Sequence, residues 1–403
     1  MTQATKPHWI PAGDDPEQGW EQGGLARQRA WVEVNEQAIS TNVRSICSRI
    51  GSRSRLMAVV KADGYGHGAV TVAQAAQVGG AHSFGVATLA EGIELRRAGI
   101  ESPILVLGSL SQAEELRACL RWQLMPTVSG MREALLCQNL ASGSGRPMPL
   151  QLKLDTGMAR LGAPWQEGPR LVAAIQALEA VELAGVYSHL ASADLPSGAD
   201  DGLTAQQQQR FEQVLSGLAD QGLEAGCRHL ANSAGMLRSR ALHYDMVRVG
   251  LALYGHRPAA HLGTALSMEP AMQLHARVSL LREVGSGVGV SYGHRFRTSR
   301  PSRLAVVSIG YADGVPRQLS NQMEVLFEGQ RLPQVGAITM DQLVLDATNA
   351  PGLDVGSVVT LLGRDGDQEI TPSDWSDRCG TIPWEILCGF KHRLPRLSTG
   401  ATH

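Results

Sequence analysis

Apolar and polar residues follow one pattern up to about residue 270 of this chain and a different one beyond it. In the first part, short apolar segments typical of buried parallel strands recur, and helical patterns separate most of them. The strand-like segments are 56–60, 84–87, 103–107, 124–128, 149–154, 182–188, 227–230 and 244–249, and the helical patterns are 69–79, 89–98, 111–120, 130–140, 166–179 and 203–221. Strands and helices in this alternation predict a (β/α)8 barrel, and a doubly wound open sheet is the alternative that periodicity leaves open.

Beyond residue 270 the apolar segments alternate and are rich in β-branched residues, and glycine and proline turns separate them. Strands are expected at 273–281, 303–309, 323–327, 334–338 and 355–362, with a helix near 372–378. The predicted fold class is therefore α/β, with an N-terminal (β/α)8 TIM-type barrel in residues 29–270 and a C-terminal all-β domain in residues 271–403. Residues 1–28 are expected to form a flexible tail.

Composition and charge argue against several classes of function. Basic and acidic residues number 36 and 38, and the formal charge of -2 gives no electrostatic basis for nucleic-acid binding. The six cysteines are scattered without a CxxC pair, which predicts thiols in a reducing compartment and no metal site. Because no apolar run has the length of a membrane span and the N-terminus lacks a signal-peptide core, we expect a cytoplasmic protein with no membrane partner.

The segment 56–68 is the strongest candidate for chemistry, because it joins an apolar strand to an amine. Lys61 directly follows the strand, and a turn with three glycines then leads into a helix. Ligands of parallel α/β folds bind at the carboxyl ends of the strands. A lysine beside a buried strand loses solvation, so its amine becomes neutral and nucleophilic more readily. The alternative is a lysine that extends past the strand end into solvent.

Polar residues also follow other predicted strands, where a barrel would gather them around one opening. They are Asp155–Gly162 with its central Arg160, then Ser188 and His189, then Asn232 and Ser233, and finally Arg248 with Gly250. Taken alone, Asn232 and Ser233 are typical of a helix N-cap, whereas Arg248 in an apolar strand needs an acceptor or an anion. The loops after strands seven and eight often bind phosphate in this fold. A lysine near a phosphate site indicates pyridoxal phosphate (PLP).

Seven segments, in order along the chain, carry a more specific signal. They are Val60–Gly68, Asp155–Gly162, His229–Ala234, Asp245–Leu251, Val290–Gly293, Gly310–Gly314 and Gly336–Gln342. Together they resemble the motifs of the alanine racemases, fold-type III PLP enzymes, over about residues 30–398. The resemblance implies a homodimer with active sites shared between subunits. It further implies that the enzyme interconverts L- and D-alanine by a two-base mechanism and supplies D-alanine for peptidoglycan.

The resemblance also assigns roles to individual residues. Lys61 would bind the cofactor covalently and act as one base, and Tyr292, reaching into the partner's active site, would be the base on the opposite face. The other cofactor-binding residues would be Tyr65, His189, Asn232, Ser233, Arg248, Gly250 and Leu251, and the substrate-binding residues would be Arg160, Met340 and Asp341. Arg248 would face the pyridine nitrogen and leave it unprotonated, which makes the ring a weaker electron sink. Lys153 matches a lysine that is carbamylated in some members of the family.

Among the departures from the family, one bears on the substrate entrance, and three other functions stay open. Trp384 stands where a tyrosine usually hydrogen-bonds the phosphate and narrows the substrate entrance, and an indole can donate one hydrogen bond but accept none. The alternatives are racemisation of serine or of a wider range of amino acids, a fold-type III decarboxylase, and a non-catalytic PLP carrier. A decarboxylase would be expected to have an acidic residue in place of Arg248, and the carriers have a single domain.

Overall fold

The computed structural model describes Arg27, residues 29–196, Ala199, residues 202–264 and residues 266–400. Apart from Arg27, the predicted flexible tail 1–28 lies outside the described residues. The described residues divide into two units, one of Val34–Met272 with those from Ser398 onward, and one of Gln273–Leu397 with those up to Glu33. The domain limits 29–270 and 271–403 stay a prediction.

The first strand runs directly into the first helix. Strand β1 (Ala30–Asn35) is followed by helix α1 (Glu36–Ile50). The side-chain oxygen of Asn35 accepts the backbone N–H of Ala38 at 3.0 Å, which satisfies one of the N–H groups that a helix start leaves without a partner.

Among the described residues, eight parallel strands close into a barrel. They are β2 (Arg55–Val59), β3 (Ser83–Val86), β4 (Ile104–Ser109), β5 (Met125–Val128), β6 (Met148–Asp155), β7 (Val181–Tyr187), β8 (Cys227–His229) and β9 (Met246–Val249). Each strand pairs with the next along the chain, and β9 pairs with β2 to close the ring. The barrel prediction is confirmed, and the open sheet is excluded.

Helices connect the strands and cover the barrel. They are α2 (Ala69–Gly79), α3 (Leu89–Arg97), α4 (Ala113–Trp122), α5 (Met131–Ala141), α6 (Gly168–Gln176), α7 (Leu203–Ala219) and α8 (Ser233–Arg238). Met57, Leu105, Tyr187 and Met246, from four different strands, form one buried cluster that packs the barrel. No helix in the described part of the chain combines the length and the apolar character that crossing a membrane requires.

The second unit is built mainly from antiparallel strands. They are β10 (Met272–Val284), β11 (Gly289–Val290), β12 (Phe296–Arg297), β13 (Ser302–Val307), β14 (Glu324–Phe327), β15 (Gln330–Pro333), β16 (Leu343–Asp346), β17 (Val358–Asp365), β18 (Gln368–Ile370) and β19 (Arg396–Thr399). The main sheet has the order β15-β14-β17-β10-β1-β19, and β13 joins β10 to β16. The predicted strand-rich C-terminal domain is confirmed.

One strand and one helix illustrate how this unit differs from the sequence-based prediction. The predicted strand 334–338 is wrong, because only Gln334 makes a bridge, to Leu345. The side-chain amide of Gln334 donates to the carbonyls of Val335 and Gly336, and Gly336 has φ +78°, so the chain turns away there. Besides the predicted helix, which is α9 (Pro372–Cys379), there is a second helix, α10 (Pro383–Cys388), which contains Trp384.

Candidate active site

Lys61 follows β2 and opens an unusual turn. The four residues after it, Ala62 to Tyr65, have φ between 52° and 59°, so the backbone makes one turn of left-handed helix. For residues other than glycine, this conformation costs roughly 1–2 kcal/mol each. Such strain persists only where the surrounding structure holds it, and it is concentrated at functional sites.

Two carboxylates hold the turn that follows Lys61. Asp63 Oδ1 accepts the N–H of Ala69 at 2.9 Å and so links the turn to the start of α2. Glu91 Oε1 accepts the N–H of Ala62 at 2.7 Å, while its other oxygen accepts two N–H groups at the start of α3. The strained backbone beside Lys61 is therefore tied to two neighbouring helices.

A group of hydrogen-bond donors lies where the ends of β2, β8 and β9 come together. Gly250 N–H donates to Ser233 Oγ at 3.1 Å, and Ala252 N–H lies 3.4 Å from the same oxygen. A Cβ at position 250 would lie 2.4 Å from Tyr65 Oη, so the phenol touches the backbone there and only glycine leaves room for it. Tyr65 is stacked on Tyr254, with ring centroids 4.8 Å apart. Hydroxyl and backbone N–H groups in this arrangement bind phosphate oxygens well.

Arg248 is buried in the barrel, with 3% of its surface exposed, and is held by acceptors that carry no charge. Its Nη1 donates to His229 Nδ1 at 2.9 Å and to the carbonyl of His229 at 3.2 Å. Its Nη2 donates to His189 Nδ1 at 3.1 Å and to the carbonyls of Ser188 and Leu230. Burial lowers the pKa of Arg248 to about 10, which leaves the guanidinium charged at neutral pH.

These contacts fix the protonation of both histidines. A guanidinium can only donate, so Nδ1 of His189 and of His229 must accept, and a neutral ring then carries its proton on Nε2. Burial, together with the charge of Arg248, holds the pKa of each ring well below its usual range. His229 Nε2 lies 2.6 Å from Gln151 Oε1 and therefore donates to it. The His229 ring also stacks on Tyr187, with centroids 4.7 Å apart.

Positive charges converge at this end of the barrel. Burial, together with the charges of Arg248, Arg160 and Lys61, lowers the pKa of Lys153 to about 8. The same cations lower the pKa of His189, so all of them act on one region. A concentration of positive charge around buried polar groups favours an anionic ligand. The structure thus brings together the predicted site residues that follow different barrel strands.

The loop that carries Arg160 is shaped by Asp155. Its Oδ1 accepts the N–H groups of Gly157, Met158 and Ala159 at 2.9, 2.9 and 3.1 Å. Burial alone would raise the pKa of Asp155, but these three hydrogen bonds hold it below its ordinary value. The carboxylate therefore organises the turn that leads to Arg160.

The side chain of Asn232, a predicted cofactor ligand, makes hydrogen bonds to backbone groups. Its Oδ1 accepts Gly235 N–H at 2.9 Å, and its Nδ2 donates to the carbonyl of Leu190. Asn232 thus forms the N-cap of α8 and leaves Ser233 as the first helical residue. Leu251, also predicted to bind the cofactor through its amide, begins a short 3-10 turn directly after Gly250.

Three predicted site residues lie in the second unit. Tyr292 follows β11 and is 73% exposed, and Met340 is 52% exposed. Asp341 Oδ1 accepts a hydrogen bond from Arg393 at 2.7 Å.

Comparison with known proteins identifies the family. The model for the alanine racemase N-terminal domain matches residues 34–258, and the model for the C-terminal domain matches residues 271–398. The chain belongs to the alanine racemase family. The alanine racemase of Prochlorococcus marinus is 55% identical over 372 residues, which are 92% of this chain and 96% of that protein. The family resemblance predicted from the sequence is confirmed.

Solved structures of alanine racemases have the same fold. The enzyme from the D-cycloserine-producing Streptomyces lavendulae is 38% identical, with a TM-score of 0.87, and the match covers 93% of this chain and 98% of that one. The enzyme from Bartonella henselae, solved with covalently bound pyridoxal phosphate, is 32% identical, with a TM-score of 0.81, over 92% and 99% of the two chains. This chain thus shares the fold of solved alanine racemases over more than nine-tenths of its length.

Sequence reasoning missed several polar residues that support the candidate site. Glu91 was not singled out, although Thr88 and Glu91 form the S/T-x-x-E pattern of a capping box. Gln151 interrupts an apolar strand, which is the signal that identified Arg248, but it carries no charge and passed unnoticed. His229 was noted only as part of a motif.

Proposed function

We propose that this chain interconverts L- and D-alanine with PLP as its cofactor. The observation that carries the proposal is the meeting of an amine, a buried guanidinium and a group of phosphate-type donors at one end of the barrel. The amine would correspond to the aldehyde of PLP, the guanidinium to its ring nitrogen and the donors to its phosphate. This group of donors is also closely packed, since a Cβ at position 250 would collide with Tyr65.

Different residues would hold different parts of the cofactor. Lys61 would bind it covalently, Tyr65, Ser233 and the amides of Gly250 and Leu251 would hold the phosphate, and Arg248 would face the ring nitrogen. When bound, PLP supplies an electron sink that makes removal of the α-proton easier. Arg248 donates and cannot accept a proton, so it leaves the atom that it faces unprotonated. A carboxylate at this position would favour decarboxylation or transamination, which is why we favour racemisation.

Racemisation needs a proton to leave one face of the α-carbon and another to arrive on the opposite face. Lys61 would act on one face and Tyr292 on the other. The phenol of Tyr292 is largely exposed in the single chain, which suits a residue that works in the active site of a partner subunit. The functional unit would then be a homodimer, with Met340 and Asp341 also contributed by the partner.

The remaining residues position the groups that react. Arg160, at the end of the loop that Asp155 organises, would bind the substrate carboxylate. His189 accepts a hydrogen bond from Arg248 and would hold the plane of its guanidinium. The enzyme would work in the cytoplasm and supply D-alanine for peptidoglycan. Trp384 would make the substrate entrance and the phosphate contact differ from those of relatives with a tyrosine there.

The test follows the circular dichroism of L-alanine and of D-alanine incubated with purified, PLP-loaded protein. The wild type should remove the signal of both enantiomers, and Lys61→Ala should abolish the reaction. Tyr292→Phe should slow it by about 10²–10⁴-fold, the usual contribution of a catalytic acid or base. Tyr244→Phe is the control, because its hydroxyl bonds Glu212, outside the candidate site.

Each alternative gives a different result. If L-alanine keeps its signal while L-serine loses its own, the substrate is wrong and the mechanism stands. If no amino acid racemises although the protein binds PLP, the proposed activity is refuted. If Tyr292→Phe reacts as fast as Tyr244→Phe, the two-base assignment is refuted.

A further inference from the structure

Glu91 connects the turn beside Lys61 to helix α3. Its Oε1 accepts the N–H of Ala62 at 2.7 Å. Its Oε2 accepts the N–H of Ala87 at 2.7 Å and that of Thr88 at 3.0 Å. One carboxylate therefore caps a helix with one oxygen and binds the peptide next to Lys61 with the other.

The position of that peptide decides where the Lys61 side chain begins. The nitrogen of Ala62 is bonded to the carbonyl carbon of Lys61, so the hydrogen bond that Ala62 N–H donates to Glu91 fixes the peptide plane on the carboxyl side of the lysine. Ala62 is also the first residue of the left-handed turn, with φ 53°. A backbone in this strained conformation relaxes when its restraints are removed. Relaxation there would displace the lysine amine.

We propose that Glu91 is a positioning residue that holds the Lys61 peptide in the place where the lysine amine can act as a base. The inference rests on the proposed function of Lys61. A catalytic base must lie within hydrogen-bond reach of its proton, and small displacements cost much of the rate. Glu91 itself would touch neither the cofactor nor the substrate.

The substitution Glu91→Gln separates the two functions of the carboxylate. Glutamine has the same length but a single acceptor oxygen. Two N–H groups at the helix side favour that oxygen, and the NH2 group then faces the N–H of Ala62, donor against donor. The helix cap is kept, and the hydrogen bond to the Lys61 turn is lost.

The chain offers a matched control in Glu115. Its Oε2 accepts the N–H groups of Ser111 and Gln112 at the start of α4, both at 3.1 Å. This is the same helix-start contact that Glu91 makes, without a hydrogen bond to Ala62. Glu115→Gln therefore reports what a change of carboxylate to amide does to such a helix start, apart from any effect on Lys61.

The experiment compares the PLP-loaded wild type, Glu91→Gln and Glu115→Gln. Amide exchange of Ala62 is followed by NMR after selective labelling, and kcat is measured with L- and D-alanine carrying protium or deuterium at the α-carbon. In Glu91→Gln we expect faster exchange at Ala62 and a fall in kcat of about tenfold, the effect of losing one hydrogen bond to a charged group. The deuterium isotope effect should rise for only the enantiomer whose proton goes to Lys61. Glu115→Gln should change none of these.

The results distinguish this inference from the proposed function. Unchanged exchange at Ala62 in Glu91→Gln, or isotope effects equal to those of Glu115→Gln, would overturn the positioning role. If the wild type racemises nothing while Glu91→Gln still exposes the Ala62 amide, the proposed function fails and the contact itself stands. Should Glu91→Gln not fold, Glu91→Asp, which keeps the charge but is shorter by one methylene, is held to the same expectations.

Discussion

The hydrogen bond between Gln151 and His229 is predicted to set the position of Arg248, although Gln151 itself does not touch that arginine. Gln151 is 2% exposed, and its oxygen accepts the proton of His229 Nε2 at 2.6 Å. Substitution by methionine keeps the length and the volume of the side chain but removes the acceptor. The buried Nε2–H of His229 is then left without the partner that it has now.

The magnitude follows from the two ways in which His229 can respond. If the proton stays on Nε2, a buried donor is unsatisfied, which costs about 1–3 kcal/mol. If the proton moves to Nδ1, that N–H faces Arg248 Nη1, now 2.9 Å away, and a hydrogen bond from a charged donor worth about 1.5–3 kcal/mol is lost. Both routes predict a loss of about 1–3 kcal/mol in the free energy of unfolding. The second route also moves the guanidinium.

The assay combines urea unfolding, NMR of the imidazole nitrogens and racemisation kinetics. Gln334→Met is the control, because Gln334 is equally buried and accepts Asn321 N–H, but lies in the other unit. Both variants should lose stability, and only Gln151→Met should alter the His229 nitrogen shifts and lower kcat. Unchanged imidazole shifts together with wild-type kcat in Gln151→Met would refute the reasoning.

Two further predictions concern the donor group and Lys153. Gly250→Ala should weaken PLP binding about tenfold or more, because its Cβ would displace Tyr65 Oη and with it a hydrogen bond to a charged phosphate. Titration with PLP measures this affinity. An unchanged affinity would show that Gly250 is not part of the binding site. The pKa of Lys153 is lowered to about 8, so the neutral amine that can add to carbon dioxide, with release of a proton, becomes more abundant as the pH rises through that value. A carbamate signal from 13C-labelled carbon dioxide should appear in the wild type and be missing in Lys153→Met, whereas equal spectra would show that Lys153 is unmodified.

The barrel could be predicted from the sequence because its signals are local. Each strand is a short apolar run, and each intervening helix has its own apolar face, so periodicity alone located the strands. The second unit has weaker signals. The strand Leu343–Asp346 was not predicted, and 334–338 was mistaken for a strand because its turn depends on the side chain of Gln334.

The candidate site was predictable to the extent that topology determines it. Residues that follow parallel strands meet at one end of a barrel, which is why the sequence alone connects Lys61 with Arg248. The contacts that hold them were not predictable in the same way. Glu91 and Ala62 are 29 positions apart, and Gln151 and His229 are 78 apart. Uncharged or capping residues of this kind have an ordinary local explanation, and only the folded chain shows what else they bind.

The two supporting contacts share a physical logic that links them to racemisation. Arg248 must keep its charge and its orientation, so it is surrounded by neutral acceptors whose tautomers are fixed in turn by Gln151 and by burial. A carboxylate next to Arg248 would hold it as well, but would also cancel the charge that the site uses. The Lys61 peptide has the opposite requirement, since a carboxylate there binds a backbone N–H without cancelling the charge of Arg248. The chain thus places the charged Glu91 where a strong hydrogen bond to the backbone is useful. It places the neutral Gln151 where the charge of Arg248 must be kept.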